Sequence, residues 1–312
     1  MNTNIERNLC EEQFSKTGYS NSQFKGQSLT FCPPENYKVS FDNLTLVADL
    51  KKNADKKLVA LIDSGDNEIS PLKVLTDCAV LKIFDSVYFS YDKLKAKSFN
   101  SKNVRLEFNP NSLSDEKLEW LHKNIVSLLR DISFSRIDVA FDVNVDLRDY
   151  HIFQQRSTKS RKHFSQSGEL ETLYLGSTKS ERQVRMYNKK VERKTKADID
   201  VNIENWWRLE IELRHSMCLD WRSCLEGLDM RKVNYKNAEK ATDKIMLCGL
   251  MNDSSLWTEL TKNTRKKYKD MMNELAEESI TDDLNVVLKD NEYRLNMDLE
   301  KWSTEDNIVF SK

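Results

Sequence analysis

Tyr187 lies within a run of cationic side chains that suits nucleophilic chemistry. Arg185 and Lys189 flank it at a spacing of two, so an extended strand would place all three on one face. An unperturbed tyrosine has a pKa of about 10, and a nucleophilic one therefore needs a nearby positive charge, a metal ion or a base. This pattern predicts attack on a DNA phosphodiester, with Arg185 and Lys189 stabilising the phenolate and the developing phosphorane charge. An amphipathic surface strand would show the same residues, so both interpretations stay open at this point.

Four carboxylates recur at even spacing on the charged faces of two other segments. Carboxylates held so close repel one another unless a proton or a cation lies between them. Because none of the four histidines forms a His-x-His pair, a metal site would rest chiefly on carboxylate oxygen, which favours Mg²⁺ or Mn²⁺ over zinc. The predicted ligands are two or three of Asp138, Asp142, Glu210 and Glu212.

The elements that position these residues are four segments that alternate between apolar and polar side chains with a period of two. One antiparallel sheet would bring their polar faces together. A helix over residues 114–130, with Ser114 as its N-cap, would cover the apolar face. The segments and their charged or phenolic side chains are residues 103–109 (Arg105, Glu107), 136–143 (Arg136, Asp138, Asp142), 183–189 (Arg185, Tyr187, Lys189) and 208–214 (Arg208, Glu210, Glu212, Arg214).

The predicted fold class is α+β, with an antiparallel sheet and helices on one face forming a catalytic domain, followed by a helical C-terminal lobe. Residues 1–37 are polar and aperiodic, which predicts an arm with little fixed structure. We assign residues 38–235 to the catalytic domain. Residues 236–312 form the lobe, with helices over 240–251, 254–278 and 282–302.

Composition sets further limits on the class of protein. The 49 basic and 50 acidic side chains give a net charge of −1, which argues against a histone-like polycation. The six cysteines form no Cys-x-x-Cys pair, so we expect reduced thiols and no structural zinc. There is no apolar run of the roughly 20 residues that a membrane span needs, and we expect a cytoplasmic protein.

Two basic clusters stand out in this nearly neutral chain. A run of like charges is usually only a solvated surface, but each cluster could also bind phosphate backbones. The predicted DNA-binding residues are Arg182, Lys190, Arg193 and Lys194 in the first cluster, and Arg265, Lys266, Lys267 and Lys269 in the second.

Several of these motifs, in this order along the chain, resemble the Rep_trans family of rolling-circle plasmid replication initiators. The similarity extends over nearly the full length. In chain order, the motifs are residues 14–21, 41–45 and 104–110, Arg136-Ile137-Asp138-Val139-Ala140-Phe141-Asp142, Tyr187-Asn188-Lys189-Lys190, residues 192–194, and Trp207-Arg208-Leu209-Glu210-Ile211-Glu212-Leu213.

The resemblance implies an enzyme that binds the double-strand origin of a plasmid and nicks one strand. It would stay attached through a 5′-phosphotyrosyl bond, leave a 3′-hydroxyl primer and rejoin strands at termination. The family's nucleophile falls on Tyr187, its metal-binding acids fall among the four carboxylates, and its origin specificity falls near residues 257–269. It also implies a homodimer that recruits a host helicase, and it assigns origin recognition and dimerisation to the helical C-terminal region, residues 236–312. Alternatives are a conjugative relaxase with the same chemistry, a non-enzymatic DNA-binding protein, and a metal-dependent nuclease that uses water.

Overall fold

The computed structural model describes residues 36–154, 159–197, 203–253 and 255–302. The predicted N-terminal arm falls almost entirely outside the described residues, and so does Ser254, the predicted start of the second C-terminal helix.

Thirteen strands in the described part of the chain form two antiparallel sheets. Ten of them form one large sheet in the order β2-β3-β4-β5-β1-β6-β11-β10-β9-β8, and three form a small sheet in the order β13-β12-β7. The strands are β1 (Tyr37–Leu50), β2 (Ile69–Leu75), β3 (Cys78–Ile83), β4 (Val87–Asp92), β5 (Val104–Phe108), β6 (Leu129–Val143), β7 (Tyr150–Gln154), β8 (Ser160–Phe164), β9 (Leu170–Leu175), β10 (Arg182–Asn188), β11 (Trp207–Arg214), β12 (Leu228–Val233) and β13 (Ala276–Ser279).

The helices lie mostly before β6 and after β12. None of those in the described residues is long and apolar enough to cross a membrane. They are α1 (Ala54–Asp63), α2 (Lys93–Phe99), α3 (Asp115–Asn124), α4 (Lys189–Ala197), α5 (Ala241–Asn252), α6 (Leu256–Glu259), α7 (Lys262–Glu274), α8 (Thr281–Asp290) and α9 (Glu292–Glu300), with 3-10 segments at Pro110–Ser112, Val126–Leu128, His215–Ser223 and Tyr235–Asn237.

A bulge in β1 keeps one face of the large sheet apolar. The buried apolar side chains of β1 occupy odd positions as far as Phe41 and even positions from Leu44 onward. The register with β6 shifts between Phe41 and Asn43, and this extra residue restores the apolar face after the change of parity. As a result Asp42 and Asn43 both lie on the polar face, where they contact Arg208 and Glu107.

Helices cover the apolar face, which confirms the predicted α+β class. Leu121 of α3, Leu295 and Leu299 of α9 and Trp302 are buried in the same core as the sheet side chains. The Trp302 ring lies 4.4 Å from that of Phe108 on β5. Ser114 caps α3 as predicted, accepting a hydrogen bond from the Lys117 amide. That helix ends at Asn124, earlier than the predicted 130, because Leu129 begins β6 and enters the core.

The C-terminal third differs from the prediction of three continuous helices. Residues 276–279 form β13, which pairs with β12, so the predicted helix over 254–278 is wrong at its end. The four residues are Ala-Glu-Glu-Ser, which do not alternate between polar and apolar side chains, so no local pattern identifies this strand without its partner. Helices α5, α6 and α7 surround a second, smaller core, whereas α8 and α9 pack on the large sheet. The domain boundary at residues 235–236 stays a prediction.

Replacing Leu295 by alanine should destabilise the whole fold. This side chain is fully buried between α9 and the large sheet, so its loss leaves a cavity and should cost about 2–5 kcal/mol of the free energy of unfolding. Tyr293→Ala, at a side chain of the same helix that is 78% exposed, should change it by less than about 0.5 kcal/mol. Urea denaturation followed by circular dichroism measures both. Equal effects would contradict this packing of α9.

Candidate active site

The strand register gathers the predicted site residues on the polar face of three neighbouring strands. In an antiparallel ladder, paired residues project to the same face. Tyr187 on β10 is paired with Arg208 on β11, which is paired with Asp142 on β6. Two residues away along the same strands and on the same face, Arg185 is paired with Glu210. The polar faces of these strands therefore form one surface, as the sequence predicted.

Tyr187 is almost completely buried, with 2% of its surface exposed. The Lys189 Nζ donates a hydrogen bond of 3.3 Å to its phenolic oxygen, and the Arg185 guanidinium lies 3.9 Å from the centre of its ring. Burial raises the pKa of Tyr187 far above its usual value; Arg208 opposes the rise and Glu210 adds to it. In the free protein the phenol therefore keeps its proton at neutral pH.

Lys189 is the first residue of α4, immediately after β10 ends. Its amide donates to the Trp206 carbonyl at 2.8 Å, which holds the start of the helix against the chain that leads into β11. Its Nζ lies 2.5 Å from the Glu192 carboxylate, one turn further along α4. Burial lowers the pKa of Lys189 and the charge of Arg208 adds to this, while Glu192 counteracts both. Lys189 thus connects the phenol of Tyr187 to a carboxylate.

Arg208 is the centre of the buried ion pairs. Its Nε and Nη2 donate to both oxygens of Asp142 at 2.8 Å each, and its Nη1 donates to Asp42 on β1 at 2.6 Å. Trp206 Nε1 also donates to Asp142, at 2.9 Å. Burial alone would raise the pKa of Asp142, but the Arg208 guanidinium outweighs it and holds that pKa below the usual value. Asp142 is therefore an ionised partner of arginine.

Asp138 and Glu212, two more of the predicted metal ligands, are also paired with arginine. Arg136 donates to both oxygens of Asp138, at 2.7 and 2.5 Å, and lies 3.1 Å from Glu212. Glu212 has a second ion pair with Arg214. Burial raises the pKa of Asp138 to about 7, and the contact with Arg136 opposes the rise.

Glu210 is the predicted ligand that differs from the other three. Its Oε2 is buried without a hydrogen-bond partner among the described residues, and the nearest cation, Arg185 Nη1, is 3.8 Å away. Burial raises the pKa of Glu210, and so does the negative charge of Asp42, while Arg185 opposes them. An orphaned carboxylate oxygen close to a second carboxylate fits a hard cation. Within the described ranges, no group of three or more His, Cys, Asp or Glu side chains is arranged to hold a metal ion.

The predicted DNA-binding cations lie in two separate places, and most of them contact the protein itself. Three of them donate to backbone carbonyls. Arg182 donates to Cys224 and Glu226, and Lys190 to Ile203. Arg265 donates to Trp257 and Leu260. Lys266 pairs with Asp270 and Lys267 with the buried Asp243. The Arg193 guanidinium lies 5.9 Å from the Trp206 ring, and Lys194 and Lys269 are exposed. DNA contact by these eight residues stays a prediction.

Three residues of this site were not among the predicted site residues. Arg208 was noted only as one of the charges on its strand, because its position opposite Tyr187 depends on the β10–β11 register. Asp42 reaches Arg208 from a strand about 166 positions earlier in the chain. Glu192 follows Lys189 at the spacing of a helical turn, which was the available signal.

Comparison with known proteins places the chain among replication initiation proteins. Residues 43–129 match a family model described as "Replication initiation protein, N-terminal", and residues 132–289 match Rep_trans, described as "Replication initiation factor". The chain belongs to the Rep_trans family, as the resemblance of its motifs predicted.

Similar proteins cover nearly the whole chain. One protein of Staphylococcus aureus named "Replication initiation protein" is 36% identical over 97% of this chain and 96% of its own length. A second, with the same name and organism, is 38% identical over 94% and 92%. A solved rolling-circle replication initiator of Geobacillus stearothermophilus overlaps with a TM-score of 0.41 and 15% identity, covering 67% of this chain and 91% of that one.

Replacing Asp142 by asparagine should destabilise the protein by about 3–5 kcal/mol, because it leaves Arg208 buried with an incomplete set of partners. Asp146→Asn breaks a half-exposed ion pair with Arg148 and should cost about 1 kcal/mol or less. Thermal unfolding of the two variants at matched pH provides the comparison. If Asp142→Asn unfolds like Asp146→Asn, the Arg208 pair does not stabilise the site.

Proposed function

We propose that this protein initiates rolling-circle replication of a plasmid by nicking one strand of the double-strand origin with Tyr187 and rejoining strands at termination. The observation that carries the proposal is a buried tyrosine enclosed by Arg185, Lys189 and Arg208 in a chain of the Rep_trans family. A purely structural tyrosine has no need for three cations, each of which costs free energy to bury.

The proposed step is a transesterification. The phenolic oxygen of Tyr187 loses its proton and forms a bond to the scissile phosphorus, and the bond from phosphorus to the 3′ oxygen breaks. The 3′ oxygen takes up a proton, which balances the one lost by the phenol. The products are a 5′-phosphotyrosyl bond and a 3′-hydroxyl that can prime synthesis. Because one phosphodiester replaces another, the bond energy is kept, and the reverse step rejoins strands.

Arg185 and Lys189 supply the electrostatic part of the mechanism. Lys189 already donates to the phenolic oxygen and would stabilise it once the proton has left. Arg185 Nε is buried and has no hydrogen-bond partner among the described residues, and its ion pairs to Glu210 and Glu192 are long, at 3.8 and 3.9 Å. Its donors are therefore available to a phosphate that lies over Tyr187.

Glu210 and Asp42 are the residues that would hold a divalent cation, Mg²⁺ or Mn²⁺. Such an ion supplies Lewis-acid polarisation of the scissile phosphate. Asp138, Asp142 and Glu212 contact arginines through both of their carboxylate oxygens. Asp42 contacts Arg208 and Asn109 through Oδ1, and its Oδ2 is the oxygen that would bind the cation. Burial raises the pKa of Glu210 and the negative charge of Asp42 adds to the rise, as expected for a buried pair that a cation would stabilise.

The partners in this proposal are the double-strand origin of the plasmid, a second copy of the chain and a host helicase, in the cytoplasm. The predicted origin-recognition region, residues 257–269, covers parts of α6 and α7 on the smaller core. Lys269 is exposed there, whereas Lys267 and Tyr268 contact Asp243.

Tyr187→Phe should bind origin DNA but form no covalent product. The purified protein is incubated with Mg²⁺ or Mn²⁺ and a labelled single-stranded oligonucleotide that carries the candidate nick site, and a denaturing gel detects the protein–DNA adduct. Tyr174→Phe, one strand away, is the matched control and should keep the adduct. An adduct that persists in Tyr187→Phe would move the nucleophile to Tyr174. Cleavage without an adduct would indicate a hydrolytic nuclease, and binding without cleavage a DNA-binding protein.

Glu210→Gln should weaken Mn²⁺ binding by more than about tenfold, because it removes a carboxylate ligand. Even the loss of a group that only hydrogen-bonds to a ligand typically costs about tenfold or more. Glu212→Gln is a matched control on the same face of β11 and should retain the affinity, because arginines already occupy that carboxylate. Electron paramagnetic resonance of free Mn²⁺ measures both without a DNA substrate. The reverse order of the two losses would overturn the assignment to Glu210.

A further inference from the structure

Aromatic rings and guanidinium groups alternate across the polar face from β10 toward the sheet edge. The Arg185 guanidinium lies 3.9 Å from the Tyr187 ring centre and 5.7 Å from that of Tyr174 on β9. The Arg161 guanidinium, on the edge strand β8, lies 4.7 Å from the Tyr174 ring centre. We call Arg161, Tyr174, Arg185 and Tyr187 the stacking row.

The outer end of the stacking row is open to solvent. Arg161 is exposed, and within the described ranges no acidic side chain forms an ion pair with it. His163, also exposed, meets the Tyr174 ring edge-on, with ring centres 5.8 Å apart. Tyr174 itself is half-buried. The row therefore leads from the buried phenol of Tyr187 to the exposed guanidinium group of Arg161 at the edge of the sheet.

The charges of the row are unbalanced at the Tyr174 ring. Two guanidinium groups contact the same ring, and among the described residues only Arg185 forms ion pairs with carboxylates. Like charges brought together repel, and a polyanion lying along the row would relieve the repulsion. Alternating aromatic and guanidinium planes are also the surface on which unpaired bases stack, since every base has a π-face whatever its sequence.

We propose that Tyr174 and Arg161 bind the unpaired DNA bases beside the scissile phosphate by stacking. This inference rests on the proposed function, because it takes the phosphate to lie at Tyr187. Tyr174 is paired with Arg185 and is a diagonal neighbour of Tyr187, about 7 Å away across the β9–β10 ladder. A strand whose phosphate is at Tyr187 therefore has its adjacent bases over β9 and β8, where they stack irrespective of their identity.

The test measures binding of a fluorescent oligothymidylate and of a matched abasic oligonucleotide, which keeps the phosphates but has no bases. All variants carry Tyr187→Phe so that no cleavage occurs. Tyr174→Leu should weaken oligothymidylate binding about tenfold and leave abasic binding unchanged. Tyr174→Phe keeps the ring and should bind both as its parent does.

Arg161→Lys is a second test, at an exposed side chain. Lysine keeps the positive charge but lacks the planar guanidinium group, so oligothymidylate binding should fall several-fold while abasic binding is retained. The proposal is overturned if Tyr174→Leu and Arg161→Lys bind oligothymidylate like their parent, or if they lose both probes equally, which would indicate phosphate contact or misfolding alone.

Failure of this inference can be told apart from failure of the proposed function. Covalent adduct formation is measured in parallel with Tyr187 intact. If an adduct forms but ring removal at Tyr174 leaves oligothymidylate binding unchanged, only the stacking role is overturned. If base-dependent binding requires Tyr174 and no adduct forms under any condition, the stacking role is supported and the nicking proposal fails.

Discussion

The buried ion pair between Arg208 and Asp142 is the interaction on which the rest of the site depends. A buried guanidinium is tolerated only when its donors are satisfied, and here Asp142 accepts two hydrogen bonds and Asp42 a third. These contacts join β11, β6 and β1 beside Tyr187. They also fix the phenol next to a permanent positive charge, which a flexible surface side chain would not provide.

Burial has two opposing effects on the ionisation of Tyr187. Removal from water raises its pKa, which disfavours the phenolate, while the same low-polarity surroundings strengthen the attraction of Arg208, Arg185 and Lys189 for that charge. A buried tyrosine therefore stays protonated until further positive charge or a substrate arrives. Such a site resists adventitious reaction with water and small electrophiles, which suits a protein whose proposed intermediate is covalent.

The two faces of the large sheet have different roles. The apolar face is covered by α3, α8 and α9, so the chain's C-terminal helices stabilise the strands that carry the site. The polar face carries the site residues, and its edge at β8 presents Arg161 to solvent. The Arg294 Nη2 donates a hydrogen bond of 2.7 Å to the Val39 carbonyl, which connects α9 to β1.

The sequence by itself determined which residues alternate in and out of the sheet, and therefore the α+β class, the polar face and the candidate residues Tyr187, Arg185 and Lys189, because side-chain periodicity is a local property. Its motifs also determined the family. Only the tertiary structure decided that Arg208 opposes Tyr187, that Asp42 reaches it through a bulge, and that Glu210, unlike the other three predicted carboxylates, has no arginine closer than 3.8 Å among the described residues. Those facts depend on strand order and register between distant segments, which are set by packing of the whole core rather than by any local pattern.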